Sequence, residues 1–422
     1  MNYNKITQLI KKDMRKALGC TEPGIIALAC AKASHIAGGS VERIDVKVNS
    51  GIYKNAYSCG IPGTPVIGNK FAAALGAIAG DPDKGLMSLE GISETDIALA
   101  EELIADEHVK VVLHDISPKI YVDARVITSL GQGRACIEGE HTFFSLLEKN
   151  NEVIFEAKHG ENEEENIGMA DISFNDMYEY VSTVEYKEIE FIEEAIRVNT
   201  RLADEGLAWD RCVISKAVRD LGYPAAVVNT AAAIEGRFLG AASPAMSITG
   251  SGAHGIICSV PLIYEARSLG ADKERLVRSI ALNFLVTMYV KECSGKLSAF
   301  CGCGIAGGLG LAYALPFLHG LSHAVSEKAF YNMASSITGM ICTGGNQACA
   351  MKAIAAVESA YTAVKIAELD SSVSAPTGIL AGSIEHTARN IGKIAYPGMV
   401  ATDETIIEIL RGNDNREYEY II

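Results

Sequence analysis

Five of the eleven cysteines in this 422-residue chain fall between Glu292 and Lys352: Cys293, Cys301, Cys303, Cys342 and Cys349. Most are flanked by Gly, Ala or Ser, small residues that let a backbone approach a bulky inorganic group. Cys301 and Cys303 sit on a Gly-broken turn, and Cys342 and Cys349 flank a second, Thr343-Gly344-Gly345-Asn346-Gln347. Two thiol-bearing turns with a helical hairpin between them suit an iron–sulfur cluster. The plain alternative is packing, since free cysteine is among the most buried residue types. Zinc fits less well, because there is no CxxC pair and no His at ligand spacing. No signal peptide is read at the start, so a reducing cytoplasm is expected and a disulfide framework is not.

A sixth cysteine, Cys20, stands in Gly19-Cys20-Thr21-Glu22-Pro23-Gly24. Pro23 suits the first turn of a helix, with Thr21 or Glu22 as its cap. A thiol just before a helix N-terminus feels the positive end of the dipole, which favours the thiolate. Cys20 is therefore a candidate base or nucleophile, with a buried thiol as the other reading. The loop Asn49-Ser50-Gly51-Ile52-Tyr53-Lys54-Asn55 follows a strand and gathers amide, hydroxyl and ammonium groups beside glycine. Such loops hold small polar ligands. Lys54 is either a carboxylate-binding cation or a solvated side chain. The turn Gly250-Ser251-Gly252-Ala253-His254 opens a helix whose free N–H groups suit a carboxylate. It is not a nucleotide-binding fingerprint, because no strand precedes it.

The elements that must position these groups follow from periodicity. Helices are expected over 3–18, 25–36 and 68–79, and from Ser93, where Asp96 completes a capping box. Alternation predicts strands over 41–48, 108–114, 120–128, 133–140 and 153–157, with a short helix over 143–149. From residue 177 onward the pattern is helical: 187–204, 211–222, 225–242, 256–268, 378–389 and 403–411. The expected fold is α+β: an N-terminal α/β-sheet region packed on a larger, mostly helical domain. N-terminal helices carrying Cys20 (1–40) would pack on the helical domain, a substrate-loop region would span 41–170, and the cluster-binding region 171–422. The acidic run at 161–166 reads as a solvated linker or hairpin.

Composition narrows the function. Net charge is −15, which argues against nucleic acid and an anionic membrane surface. Nearly half the residues are hydrophobic, 49%, so a large core is available without staples. Residues 298–318 carry no charged side chain, but five glycines and Pro316 favour a buried helix over a membrane span.

Taken together, Ala17-Leu18-Gly19-Cys20-Thr21-Glu22-Pro23, the Ser50–Asn55 segment, Gly60-Ile61-Pro62-Gly63-Thr64, the Gly250-Ser251-Gly252 turn and both cysteine turns resemble the L-cysteine desulfidase family, relatives of the alpha chain of iron–sulfur L-serine dehydratases. The resemblance spans nearly the whole chain. It implies an oxygen-sensitive [4Fe–4S] cluster held by three cysteines, with no pyridoxal phosphate. Cys342 and Cys349 match two ligands, and Cys301 or Cys303 the third, with Cys301 slightly favoured. Cys20 matches the family's proposed base. The Ala253-His254 turn departs from the commonest family pattern, Asn-Gln. The implied reaction is α,β-elimination of L-cysteine to pyruvate, ammonia and hydrogen sulfide. Asn49, Ser50, Lys54, Asn55, Ser251 and His254 are the expected substrate-binding residues. L-Serine dehydration is the second reading; a pyridoxal phosphate lyase using Lys54, or a membrane or scaffold protein, are remote ones. A small amino acid is the expected partner, and a homodimer is left open.

Overall fold

The computed structural model describes residues 3–157, 168–295 and 297–413. The acidic run at 161–166 lies outside them. The architecture is α+β, as the patterning predicts, with a mixed sheet in the N-terminal region packed on a helical region.

The strands are β1 (Arg15–Ala17), β2 (Val41–Val48), β3 (Val109–Leu113), β4 (Tyr121–Thr128), β5 (Gly131–Glu138), β6 (Phe144–Lys149), β7 (Glu152–Glu156) and β8 (Ala245–Ser247). Among the described residues, six form one sheet in the order β3-β2-β4-β5-β6-β7. β2 and β3 run parallel, and the other neighbours are antiparallel. Helices Thr21–Ala37 and Asn69–Ala79 cover one face, burying Ile26, Leu28 and Leu75 against Val46, Val122 and Ala124.

Four sequence expectations need correction, the first being that a strand does precede the Gly250-Ser251-Gly252 turn: it is the three-residue β8, whose partner in its two-stranded sheet is β1, so it builds no βαβ unit. The stretch expected as a helix over 143–149 is strand β6, Phe144–Lys149. Leu146, Leu147, Glu148 and Lys149 are good helix formers, but strand partners on both sides override that preference. Asn150 and Asn151, both at positive φ (52° and 67°), close the β6–β7 hairpin. The first helix stops at Asp13 instead of 18, because β1 pairs antiparallel with β8. The Asp13 carboxylate accepts a hydrogen bond from Thr249 N at 2.6 Å and fixes that crossing. The segment read as a loop after β2 is a short helix, Ser50–Ala56.

The helical region has its own core, built from Ile256, Leu262, Phe284, Leu309, Tyr313 and Phe330 among others. Ile6 and Ile10 of the first helix join it. The uncharged stretch at 298–318 is a buried turn running into helix Gly308–His319. Helix His323–Ile337 completes the hairpin between the two cysteine turns. Among the described residues no helix is long and apolar enough to cross a membrane. The last helix, Val400–Asn413, returns to the sheet region: Ile407 joins the sheet core, and Tyr57 Oη donates to Leu410 O at 2.9 Å.

Candidate active site

Backbone pairing joins the two cysteine turns. Cys301 N donates to Met340 O at 3.0 Å, and Cys342 N to Ala299 O at 2.6 Å, around an isolated bridge between Phe300 and Ile341. Residues some forty positions apart are thus clamped side by side. After Cys301 the chain enters a wide π turn, Cys303–Gly307, before helix Gly308–His319; such turns recur at functional sites. Cys349 begins helix Cys349–Glu368. Gly344 has φ +97°, and a Cβ there would sit 2.5 Å from Lys54 O, so only glycine lets this turn pack so closely.

The sulfurs of Cys301 and Cys303 lie 3.5 Å apart. Cys301, Cys303, Cys342 and Cys349 all line one cleft of about 670 Å³, solvent at its mouth included. Hydrogen bonding from Cys303 pulls the Cys301 thiol down to about 6 against its burial, helped by Lys352, Gly304 N and Lys291. The same contact pushes Cys303 well above the ordinary range. Burial lifts Cys349 to about 12. Four soft donors, a backbone trimmed to glycine and two flanking ammonium groups fit a thiolate-held iron cluster. Among the described residues no three side chains close tightly enough to hold a single metal ion. Cysteines around a multi-iron cluster stand farther apart than ligands of one ion.

Cys20 faces the same cleft. It is the residue preceding helix Thr21–Ala37, as the sequence predicts, so the N-cap is Cys20 rather than Thr21 or Glu22. Gly19, at φ +62°, makes the turn possible, since a Cβ there would come within 2.4 Å of Pro62. The surroundings of Cys20 oppose the effect of the helix end. Burial, Cys59 and Glu22 push the Cys20 thiol well up, and Arg237 only partly opposes them. Cys20 Sγ donates to Glu22 Oε2 at 3.1 Å, and Asn55 Nδ2 donates to Glu22 Oε1 at 2.8 Å. Cys342 Sγ in turn donates to Asn55 Oδ1 at 3.5 Å. One carboxylate thus links the Cys20 thiol to the cysteine turns.

The segment after β2 divides. Asn55 lines the cleft, but Asn49, Ser50 and Lys54 do not. Asn49 Nδ2 and Ser50 Oγ donate to Ser117 O at 2.9 and 3.5 Å, as joints between β2 and the loop before β4. Lys54 is buried in an ion pair with Asp403, 2.5 Å, and also donates to Ser298 O at 3.2 Å. Because the segment is helical, Lys54 points to the C-terminal helix while Asn55 points to the thiols.

Ser251 and His254 do line the cleft. His254 Nδ1 is hydrogen-bonded to Thr249 Oγ1, and burial with the charges of Lys291 and Arg237 keeps the ring neutral, well below its ordinary pKa. Four groups were missed in the sequence: Arg237, Lys291, Lys352 and His141. Lys291 Nζ lies 5.9 Å above the Phe300 ring, and burial lowers it to about 8. The available signal was charge within apolar helical runs, at Arg237 in Ala225–Leu239 and Lys291 in Lys273–Ser294. His141 reaches over from the β5–β6 connection, and a Cβ on Gly250 would meet its ring at 2.2 Å.

Residues 83–408 match the family described as serine dehydratase alpha chain. That stretch includes the four cysteines, Ser251 and His254; Cys20 and Asn55 precede it. The chain is also similar, nearly end to end, to proteins named only UPF0597 protein. One from Clostridium botulinum strain Langeland is 39% identical over 97% of this chain and 99% of its own length. One from Caldanaerobacter subterraneus is 34% identical over 96% and 97%. One from Clostridioides difficile strain 630 is 31% identical over 96% and 98%.

Proposed function

The chain belongs to the serine dehydratase alpha chain family, dehydratase-type lyases, and from that premise we propose that it eliminates the β-thiol of L-cysteine, giving pyruvate, ammonia and hydrogen sulfide. The observation that carries the reading is one cleft that joins four cysteines from two turns to the Cys20–Glu22 pair. We assign Cys342, Cys349 and Cys301 or Cys303 to hold a [4Fe–4S] cluster. When bound, the cluster supplies a Lewis-acidic iron that draws electron density from the substrate.

The chain's own groups divide the remaining work. The Cα proton of an amino acid is weakly acidic, so its removal needs a positioned base. Cys20 is that base. Its thiol must first lose a proton, and Glu22 Oε2, 3.1 Å away, is the acceptor in reach. Asn55 holds the Glu22 carboxylate in place at 2.8 Å. The Cα proton then passes to Cys20 Sγ, and the electron pair forms the Cα–Cβ double bond as the β-substituent leaves. Lys291, an ammonium beside the thiols, supplies a proton to the leaving group. The aminoacrylate product tautomerises to an imine, which water hydrolyses to pyruvate and ammonia. Neutral His254, tied to Thr249, shapes the opposite wall with Ser251.

L-Serine is the second reading. Lys291 favours it, because hydroxide departs only with acid assistance and Lys291 is an acid placed for that task. The family description points the same way. The discriminating experiment is anaerobic release of sulfide and pyruvate from L-cysteine, beside pyruvate from L-serine at matched concentration. Higher catalytic efficiency with L-cysteine supports the assignment. Higher efficiency with L-serine overturns the substrate and leaves the elimination standing. No pyruvate from either overturns both.

A further inference from the structure

Arg237 is a buried cation whose bonds are incomplete. It lies in the last turn of helix Ala225–Leu239 and is 2% exposed, yet it lines the cleft. Its one side-chain hydrogen bond among the described residues runs from Nη2 to Thr21 Oγ1, at 3.2 Å, and Nε has no partner. Burying a guanidinium without an anion is costly, because nothing replaces its lost hydration. The carboxylate in the cleft, Glu22, already accepts from Cys20 and Asn55. The neighbouring backbone is cut back to make room: a Cβ on Gly252 would sit 2.5 Å from Arg237 Nε.

We propose that Arg237 is the residue that seats the α-carboxylate of an amino-acid substrate. A guanidinium presents donors in a planar fork that matches a carboxylate. Lys54, which the sequence offers for this role, is engaged by Asp403. Position also favours Arg237. It is bonded to Thr21, the residue after Cys20, so a carboxylate held there brings the adjacent Cα to the Cys20 sulfur. Its charge bears on both walls of the cleft: it makes the Cys20 thiol easier to ionise and His254 harder to protonate. The first turn of helix Gly252–Leu269 lies against it and adds backbone N–H groups. The assignment rests on the elimination reading only for the identity of the substrate.

The test uses L-alanine, which has the α-carboxylate and no leaving group, and L-alaninamide, which lacks the negative charge. Binding to the anaerobically purified full chain is measured by calorimetry. L-Alanine should bind Arg237→Met about tenfold or more weakly than wild type, with Arg237→Lys between them. Wild type should prefer L-alanine over L-alaninamide by a similar factor. A folded Arg237→Met protein that binds L-alanine as wild type does would overturn the proposal. So would a wild type that binds the amide as tightly as the acid, or binds neither; these arms need no variant to fold. If no substrate is eliminated but L-alanine binding still depends on Arg237, the carboxylate seat stands and the lyase reading falls.

Discussion

Cys20 Sγ donates a 3.1 Å hydrogen bond to Glu22 Oε2, two residues along the same chain. The pair sits where a helix N-terminus would favour a thiolate, yet its surroundings favour the protonated thiol. Burial acts first, and Cys59 and Glu22 add to it. The dipole of a helix end is worth about 0.3–1 kcal/mol at exposed sites and cannot offset full desolvation of a thiolate.

The first prediction follows from the sign of that shift. Glu22 raises the Cys20 pKa, so Glu22→Gln should lower it. Alkylation of Cys20, followed by peptide mass spectrometry across pH in anaerobic protein, should show its midpoint moving down in the variant. Turnover should fall all the same, because the proton acceptor is gone. Cys20→Ala should lose activity by roughly 10²–10⁴-fold and keep its iron. An unmoved midpoint would show that Glu22 does not control the thiol, and near-normal turnover in Cys20→Ala would assign the base elsewhere.

The second prediction concerns Lys291. Thiolate leaves readily and hydroxide does not, so Lys291→Met should depress serine elimination more than cysteine elimination. The readout is the ratio of kcat/KM for the two substrates at equal iron content. An equal loss on both would make Lys291 a general electrostatic support instead of the proton donor.

The third prediction is about stability. Lys54 and Asp403 form a buried ion pair that ties helix Ser50–Ala56 to helix Val400–Asn413, with side chains 0% and 7% exposed. Lys54→Met leaves a buried carboxylate alone and should cost about 3–5 kcal/mol, read as a lower denaturant midpoint. The fraction that remains folded should keep its KM. A raised KM with unchanged stability would return Lys54 to the substrate site.

Much of this was legible in the sequence, for identifiable reasons. The strand Val41–Val48, the capping box Ser93–Asp96 and the Cys20 N-terminus are local patterns, and the fold keeps them. The convergence of Cys301, Cys303, Cys342 and Cys349 follows from turns joined by a hairpin, although the Phe300–Ile341 bridge that clamps them has no sequence signature. Lys54 misled because its partner, Asp403, lies far along the chain in a helix that crosses back to the sheet. Residues 143–149 misled because strand pairing, not propensity, decided them. Arg237 and Lys291 were passed over since a charge on an apolar helix reads equally as a solvated edge. Only burial in the assembled cleft separates the two.

The most direct measurement of the central claim is iron, acid-labile sulfide and lyase activity on the same anaerobic samples. Wild type should be brown and carry about four irons per chain, and it should release sulfide and pyruvate equally from L-cysteine. Air should bleach the colour and stop turnover together, and Cys342→Ser and Cys349→Ser should lose both. A colourless, iron-free protein with full activity would contradict the account.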